Sequence, residues 1–578
     1  MSQARKPNSI PLSSGRYYLL MAVISCAFVG LFARAAYLQV DESKVLTGKA
    51  DSRSVRNKEI VTHRGVISDR NGVELAVSVP VKSVWMDITK VMEESPLLAE
   101  EDWNRLAVIA RKTPQQFKQW IVKRKGQQFA WVARHLDPKT ASIVKTLDLP
   151  GVYLRDEFRR YYPSAEITAH LVGFTDVDDK GREGLERAFD DLLSGKAGEE
   201  IVRLDLQRRV IEQKEVVKAA EKGKDIQLSI DSRIQALAYK ALKTAVLKHK
   251  ASSGALVMLD VDTGEVLALI SQPSYNPNRF DSRHPKFTRN SAFVDSFEPG
   301  STAKVFTVAS ALESGAVSPW TKINTAPGRM KLNGYWVKDS KNHGVLDVSG
   351  ILQKSSNMGI SKLAQMMSDE EFLSTFYQVG FGVDTASGFP GESAGLMNFR
   401  DNWSDIEKAN VSFGYGFMVT PVQLAQAYAV LGSYGVKRPL SLIRQKEIPQ
   451  GEQVISRKTS QQVVAMMETV VGEGGTGQKA SVFGYRIAGK TGTARKAENG
   501  GYGDQYAVFF AGLAPVSNPK IAMVVFVNEP NSEEYYAGDV AAPVFAKVAE
   551  ETLRLLNVKP DQYETVALGA SDNGDPNG

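Results

Sequence analysis

The chain has little from which to build a disulfide, a metal site or a nucleic-acid groove. Its one cysteine, Cys26, lies inside the first apolar segment, so no intrachain disulfide can form and an exported domain must rely on core packing. Its six histidines (His63, His135, His170, His249, His284, His343) show no ligand spacing such as His-x-x-x-His. The net charge of +6 is spread along the chain without a Lys/Arg block or an aromatic-basic stripe, which argues against nucleic acid as a partner. Low-complexity sequence is minor. What the chain does have is length: 578 residues, 43% hydrophobic, enough for several domains with large cores.

The N-terminus carries Arg5, Lys6 and Arg16 and no acid, and Tyr17 to Ala33 is free of charge. At the helical rise this stretch covers about 26 Å, close to the hydrocarbon thickness, and Arg34 can snorkel to the far interface. A cleaved signal peptide has a shorter apolar centre and a small-x-small site, whereas this one runs on through Ala35 to Val40. We therefore expect one uncleaved transmembrane helix over 17–40, a cytoplasmic tail over 1–16 and the remainder outside the cytoplasm.

The stretch that carries chemistry is Glu298-Pro299-Gly300-Ser301-Thr302-Ala303-Lys304, followed by an apolar run. Pro299 and Gly300 break the incoming chain, and Lys304 to Leu312 suits a buried helix. Spacing of three then sets the Lys304 amine over the Ser301 hydroxyl. A serine needs a base, and a lysine serves only if burial or a second cation lowers its pKa. Lys490 is the sequence's candidate for that cation.

Ser-x-x-Lys alone is common, and Ser142–Lys145 and Ser517–Lys520 also fit it. Ser-x-Asn is weak too, since Ser274-Tyr275-Asn276 and Ser340-Lys341-Asn342 match. Lys490-Thr491-Gly492 occurs once. The ordered trio of Ser301/Lys304, Ser355-Ser356-Asn357 and Lys490-Thr491-Gly492 resembles the penicillin-recognising serine transferases and hydrolases.

That resemblance implies roles. Ser301 is the nucleophile and Lys304 its base. Ser355 relays a proton, Asn357 holds a substrate carbonyl and the lysine, and Lys490 is electrostatic. Thr491 and Thr493 take the substrate carboxylate, and Gly492 lets its backbone approach. The N–H groups of Ser301 and Thr493 form the oxyanion hole. Alternation on the strand Tyr485 to Ala494 sends Lys490 and Gly492 to one face and Thr491 and Thr493 to the other, so we expect a local twist or bulge that converges them.

Arg64-Gly65-Val66-Ile67-Ser68-Asp69-Arg70-Asn71-Gly72, Arg160-Tyr161-Tyr162-Pro163 and Gly181-Arg182-Glu183-Gly184-Leu185-Glu186 are similar to the pedestal motifs of class B penicillin-binding proteins. Asn71-Gly72 also reads as a two-residue hairpin. The pattern elsewhere gives helices near 101–125 and 137–147, a strand over 226–230, a helix over 232–247 and a hairpin around Asp262-Thr263-Gly264. We expect an α+β transpeptidase domain over 221–560, an antiparallel sheet packed with a helical region. Below it come an extended mixed pedestal of the dimerisation type over 41–220 and a disordered tail over 561–578.

The resemblance implies the cell-division branch of the class B family, with no cofactor and no metal. Its substrates are peptidoglycan stem peptides and the lipid-linked wall precursor, and beta-lactam antibiotics acylate Ser301. Its partners are a septal SEDS-type glycosyltransferase (FtsW type) and other divisome membrane proteins. Its place is the inner membrane at the division septum, catalytic domain in the periplasm. Alternatives are the elongation-type paralogue, a beta-lactam hydrolase using Glu407, and a non-catalytic scaffold. Ala537 stands where that branch carries a glycine.

Overall fold

A computed structural model describes residues 14–94, 101–205, 210–397, 402–498 and 501–562. The tail expected beyond 562 and most of the N-terminal tail lie outside the described residues. The chain falls into two compact units, Met1–Thr62 with Lys196–Lys222, and His63–Gly195 with Gly223–Gly578.

In the first unit the helix Ser14–Val40 has mean hydropathy 2.1 over its best window and buries none of it. It is the one helix among the described residues long and apolar enough to span a bilayer. The helix Ser43–Ser54 leads into an antiparallel three-stranded sheet, Val55–Ile60 beside Gly198–Leu204 beside Val210–Lys218. Asp51 ties the helix to that sheet through Arg203 and Lys214, each at 3.1 Å.

The second unit opens with Ile67–Ser68 turning into the long strand Glu74–Met86. The turn is wider than Asn71-Gly72 alone: Ser68 pairs Glu74 across a register shift, and the Asp69 carboxylate accepts from Asn71 N and Val73 N, each at 2.8 Å. An aspartate that satisfies two turn amides fixes a five-residue loop where the dipeptide predicted two. Glu74–Met86 also pairs with Ala130–Leu136 and Val152–Tyr161. The helices Glu101–Ile109, Pro114–Val122 and Pro138–Leu147 supply Trp103, Leu106, Phe117 and Val144 to a separate small core here. Ile226–Gln227 adds in parallel to Ile67–Ser68, so the strand expected over 226–230 is two residues long, followed by a single bridge from Leu228 to Ile443.

The large sheet is antiparallel, in the order Val266–Gln272, Ser253–Asp260, Ile521–Asn528, Gly501–Ala514, Ala488–Glu498. Ile521–Asn528 is buried at every position, so its sequence shows no alternation. Helices Ser232–Lys248 and Ala542–Leu555 cover one face. Pro421–Gly432 covers the other and leads into the helical region, which includes Lys304–Glu313, Val348–Lys354, Asn357–Gln365 and Arg457–Val471. The sheet is thus sandwiched between helices, as expected of an α+β transpeptidase domain. Ala488–Glu498 is an edge strand of this sheet and packs against the turn at the start of the Lys304 helix.

Candidate active site

Ser301 sits in a single 3-10 turn, Gly300–Ala303, directly before the helix Lys304–Glu313. Gly300 N donates to Gly414 O at 3.0 Å. A Cβ on Gly414, whose φ is +91°, would fall 1.9 Å from Gly300 O, so only glycine lets the two backbones interlock here. Eight of the ten helix residues are buried, Lys304 among them, so packing rather than a side-chain cap holds this helix.

Lys304 reaches past its own turn. Its Nζ donates to Ser355 O at 2.6 Å and Asn357 Oδ1 at 2.7 Å, and lies 3.2 Å from Ser355 Oγ. The Ser301 hydroxyl, which spacing paired with this amine, has no hydrogen-bond partner among the described residues. The two carbonyl-type oxygens can only accept. They therefore occupy two N–H groups of Lys304, and in the neutral amine they leave the lone pair for a hydroxyl.

The loop between the helices Val348–Lys354 and Asn357–Gln365 sets this up. Ser355 ends the first in left-handed backbone at φ +56°, aiming its carbonyl and hydroxyl at Lys304. Ser356 caps the second, accepting from Gly359 N at 2.9 Å while donating to Asp339 Oδ2 at 2.6 Å. Asp339 also accepts from Met358 N at 2.9 Å. No local pattern marks Asp339, because its partners lie 17 and 19 residues further on.

Lys490 closes the site from the edge strand. Its Nζ donates to Ser355 Oγ at 3.0 Å and to Thr491 O at 3.1 Å, so one hydroxyl stands between two lysines. Both lysines are 0% exposed. Burial pushes the Lys490 ammonium down to about 7. Burial, then the Lys490 charge, hold Lys304 well below the usual lysine range against a weaker opposing pull from Asp339.

No bulge interrupts residues 490–493. Pairing with Gly501–Ala514 runs in register from Ala488 to Arg495, and the first shift falls between Arg495 and Ala497. Thr491 and Thr493 accordingly stay on the face opposite Lys490: Thr491 Oγ1 is 2.7 Å from Thr476 Oγ1, and Thr493 Oγ1 accepts from Ala537 N at 3.2 Å. An edge strand needs no distortion, because a peptide added beside it meets side chains from both faces. At Gly492 a Cβ would lie 2.8 Å from Pro299 O and 2.9 Å from Thr302 Cγ2, so its absence brings this strand onto the Ser301 turn.

Glu407, the candidate water activator of a hydrolase, is spent on its own helix. It accepts from Ser404 N at 3.1 Å and Ser404 Oγ at 2.7 Å in a capping box. Its neighbour Lys408 pairs with Asp369 at 2.9 Å.

Residues 254–550 match the model of the penicillin binding protein transpeptidase domain, and 59–228 that of the penicillin-binding protein dimerisation domain. The chain is 44% identical over 553 residues to the peptidoglycan D,D-transpeptidase FtsI of Escherichia coli K12, covering 96% of this chain and 94% of that one. The transpeptidase domain of penicillin-binding protein 3 from Burkholderia pseudomallei superposes with TM-score 0.54 at 40% identity, over 58% of this chain and 98% of that one. Penicillin-binding protein 3 from Mycobacterium tuberculosis, solved with aztreonam, gives TM-score 0.68 at 26% identity, over 87% and 98%. A Ser-x-x-Lys turn, a Ser-x-Asn loop and a Lys-Thr-Gly edge strand brought together around Ser355, in a chain that matches the Escherichia coli protein over 96% of its length, carry one conclusion: the chain belongs to the penicillin-binding protein transpeptidases, of the class B type that sets this domain beside a dimerisation domain.

Proposed function

We propose that this chain is the septal peptidoglycan D,D-transpeptidase of its cell, with Ser301 as the acylated residue. The observation that carries the reading is a hydroxyl, Ser355, held between two buried lysines beside the Ser301 turn. Ser301 Oγ attacks the carbonyl of the penultimate D-Ala of a stem peptide, and its proton passes to the neutral Lys304 amine. The C–N bond to the terminal D-Ala breaks, and the proton travels through Ser355 to the departing amine. An amine of a neighbouring stem then attacks the ester, forming the cross-link, and its proton returns by Lys304 to the Ser301 oxygen.

Backbone N–H groups of Ser301 and Thr493 stabilise the oxyanion in both steps, and loss of one such donor costs about 10²–10³ in rate. Asn357 fixes Lys304 and the substrate amide. Lys490 supplies positive potential, and Thr491 and Thr493 take the terminal carboxylate. Beta-lactams enter the same reaction, and their opened ring stays on Ser301.

The apolar helix Ser14–Val40 anchors the protein in the cytoplasmic membrane, N-terminus inside and catalytic domain in the periplasm, at the septum. A SEDS-type glycosyltransferase supplies the strands. Mass spectrometry of the intact protein with penicillin, followed over hours, tests this. A single persistent adduct, lost in Ser301→Ala, is expected; rapid clearance means a hydrolase, and an adduct retained in Ser301→Ala removes the assignment.

A further inference from the structure

The segment between the Ser301 helix and the Ser355 loop holds a feature the reaction does not use. Arg329–Leu332 and Tyr335–Lys338 form an antiparallel hairpin with Arg329 opposite Lys338 and Lys331 opposite Trp336. Those four share one face. Met330 and Val337 take the other, where Val337 is buried against the helix Asn357–Gln365. Lys322 and Lys341 flank the hairpin.

All five cations, Lys322, Arg329, Lys331, Lys338 and Lys341, are exposed, and none has an ion pair among the described residues. Arg329 lies over the half-exposed Trp336 ring at 5.4 Å. Between residues 314 and 346 the only acid is Asp339, and it is consumed by Ser356 and Met358. The positive face is therefore not neutralised by its own segment. It is also fastened to the site: Lys338 O accepts from Asn357 Nδ2 at 3.0 Å, and Asn357 Oδ1 accepts from Lys304.

We infer that this hairpin is a docking face for the free carboxylates of peptidoglycan stem peptides, holding the wall polymer beside the acyl site. The inference rests on the transpeptidase reading. One stem carboxylate goes to the Lys490 strand during acylation, and the carboxylates left along the stems need cations elsewhere. The hairpin and its two flanks offer five, and Lys338 is one hydrogen bond away from the Ser355 loop. Exposed charges attract a polyanion at long range and release it in salt, which suits a polymer that must advance between turnovers.

The test uses the full chain in detergent and co-sedimentation with purified sacculi, either intact or with their carboxylates amidated by carbodiimide and ammonia. The variant carries Arg329→Gln, Lys331→Gln, Lys338→Gln and Lys341→Gln. It should lose about tenfold in affinity for intact sacculi, the size expected of a few exposed charge contacts, and its binding should respond less to salt. Wild type on amidated sacculi should fall to the same level, and acylation of the variant by penicillin should stay within about twofold, as for surface changes. Undiminished binding by the variant, or equal binding of amidated and intact sacculi by wild type, overturns the docking face. So does a parallel loss of acylation, which makes the hairpin a mere support of the Ser355 loop. If wild type itself is not acylated at Ser301, the transpeptidase reading fails instead, and the sedimentation result stands apart from it.

Discussion

Two clusters of buried cations in the larger unit have opposite chemistry. In one, Arg64 and Arg160 close on Glu186, each Nε donating to a different carboxylate oxygen at 2.6 Å. Arg64 adds Asp190 at 2.6 Å and Ser194 at 2.8 Å. In the other, Lys304 and Lys490 meet over Ser355, and no acid among the described residues touches either amine. A guanidinium cannot shed its proton, so a buried one must be paired. A buried lysine has a second course, which is to lose its charge. Paired arginines therefore build a fixed joint, and unpaired lysines build a base.

Exchanging the chemistry of the second cluster should have the largest effect. Lys304→Arg keeps a cation and several donors but holds its proton at every working pH, so acylation should fall by about 10²–10⁴, the range of a lost general base. Stopped-flow labelling with a fluorescent penicillin measures this, and a variant that still acylates within tenfold would mean Lys304 is not the base. The converse change in the first cluster is Glu186→Gln. Leaving two buried guanidinium groups without their carboxylate should cost about 3–5 kcal/mol of stability. The folded fraction should still acylate at the wild-type rate; a drop in that rate at unchanged melting temperature contradicts a purely structural joint.

Lys490→Met sharpens the contrast, because it should damage activity and improve stability together. Acylation should fall by about 10²–10³, as for a lost electrostatic contact. Stability should rise by about 1–2 kcal/mol at neutral pH, since an apolar side chain escapes the desolvation of a buried ammonium. The sign of the pH dependence follows. The folded pKa of about 7 lies below the unfolded value, so below about 7 both states hold the proton and the cost is present in full. Above it the unfolded state binds more protons, and stability climbs up to about pH 10.4. Urea unfolding at several pH values should show this climb flattened in Lys490→Met, and an unchanged slope would place the shifted proton elsewhere.

Local signals and distant ones were not equally legible. Pro299-Gly300 before an apolar run marked the helix at Lys304, because breakers act within a turn. The hairpin around Gly264 and the helix from Ser232 were visible for the same reason. The trio of motifs located the pocket only through family resemblance; nothing local brings Lys490 to Ser355, 135 residues away. The spacing of three gave no hint that acceptors on the 355–357 loop would hold the Lys304 amine, because those acceptors are more than 50 residues away. The expected twist or bulge rested on an assumption that all four residues must face one way. Asp339 and Thr476 stayed hidden, since each works by closing on a partner from another part of the fold.

A third buried base gives the smallest expected effect and tests the rule without catalysis. His170 is 6% exposed, with Nε2 2.8 Å from Phe287 O, and burial brings its imidazole down to about 4. Like the lysines it has no ion pair with an acid among the described residues, and burial keeps it neutral. Its folded pKa lies below the unfolded value of about 6.5, so the unfolded state takes the extra proton and stability is lost as pH falls from about 6.5 toward 4. His170→Gln keeps an N–H donor and cannot be charged. It should cost about 1 kcal/mol at pH 7.5, the worth of an imperfectly replaced hydrogen bond, and the gap to wild type should close or reverse by pH 5. A gap that is constant across this range would mean the ring charges freely inside the fold, and the contrast between paired and unpaired cations would lose its generality.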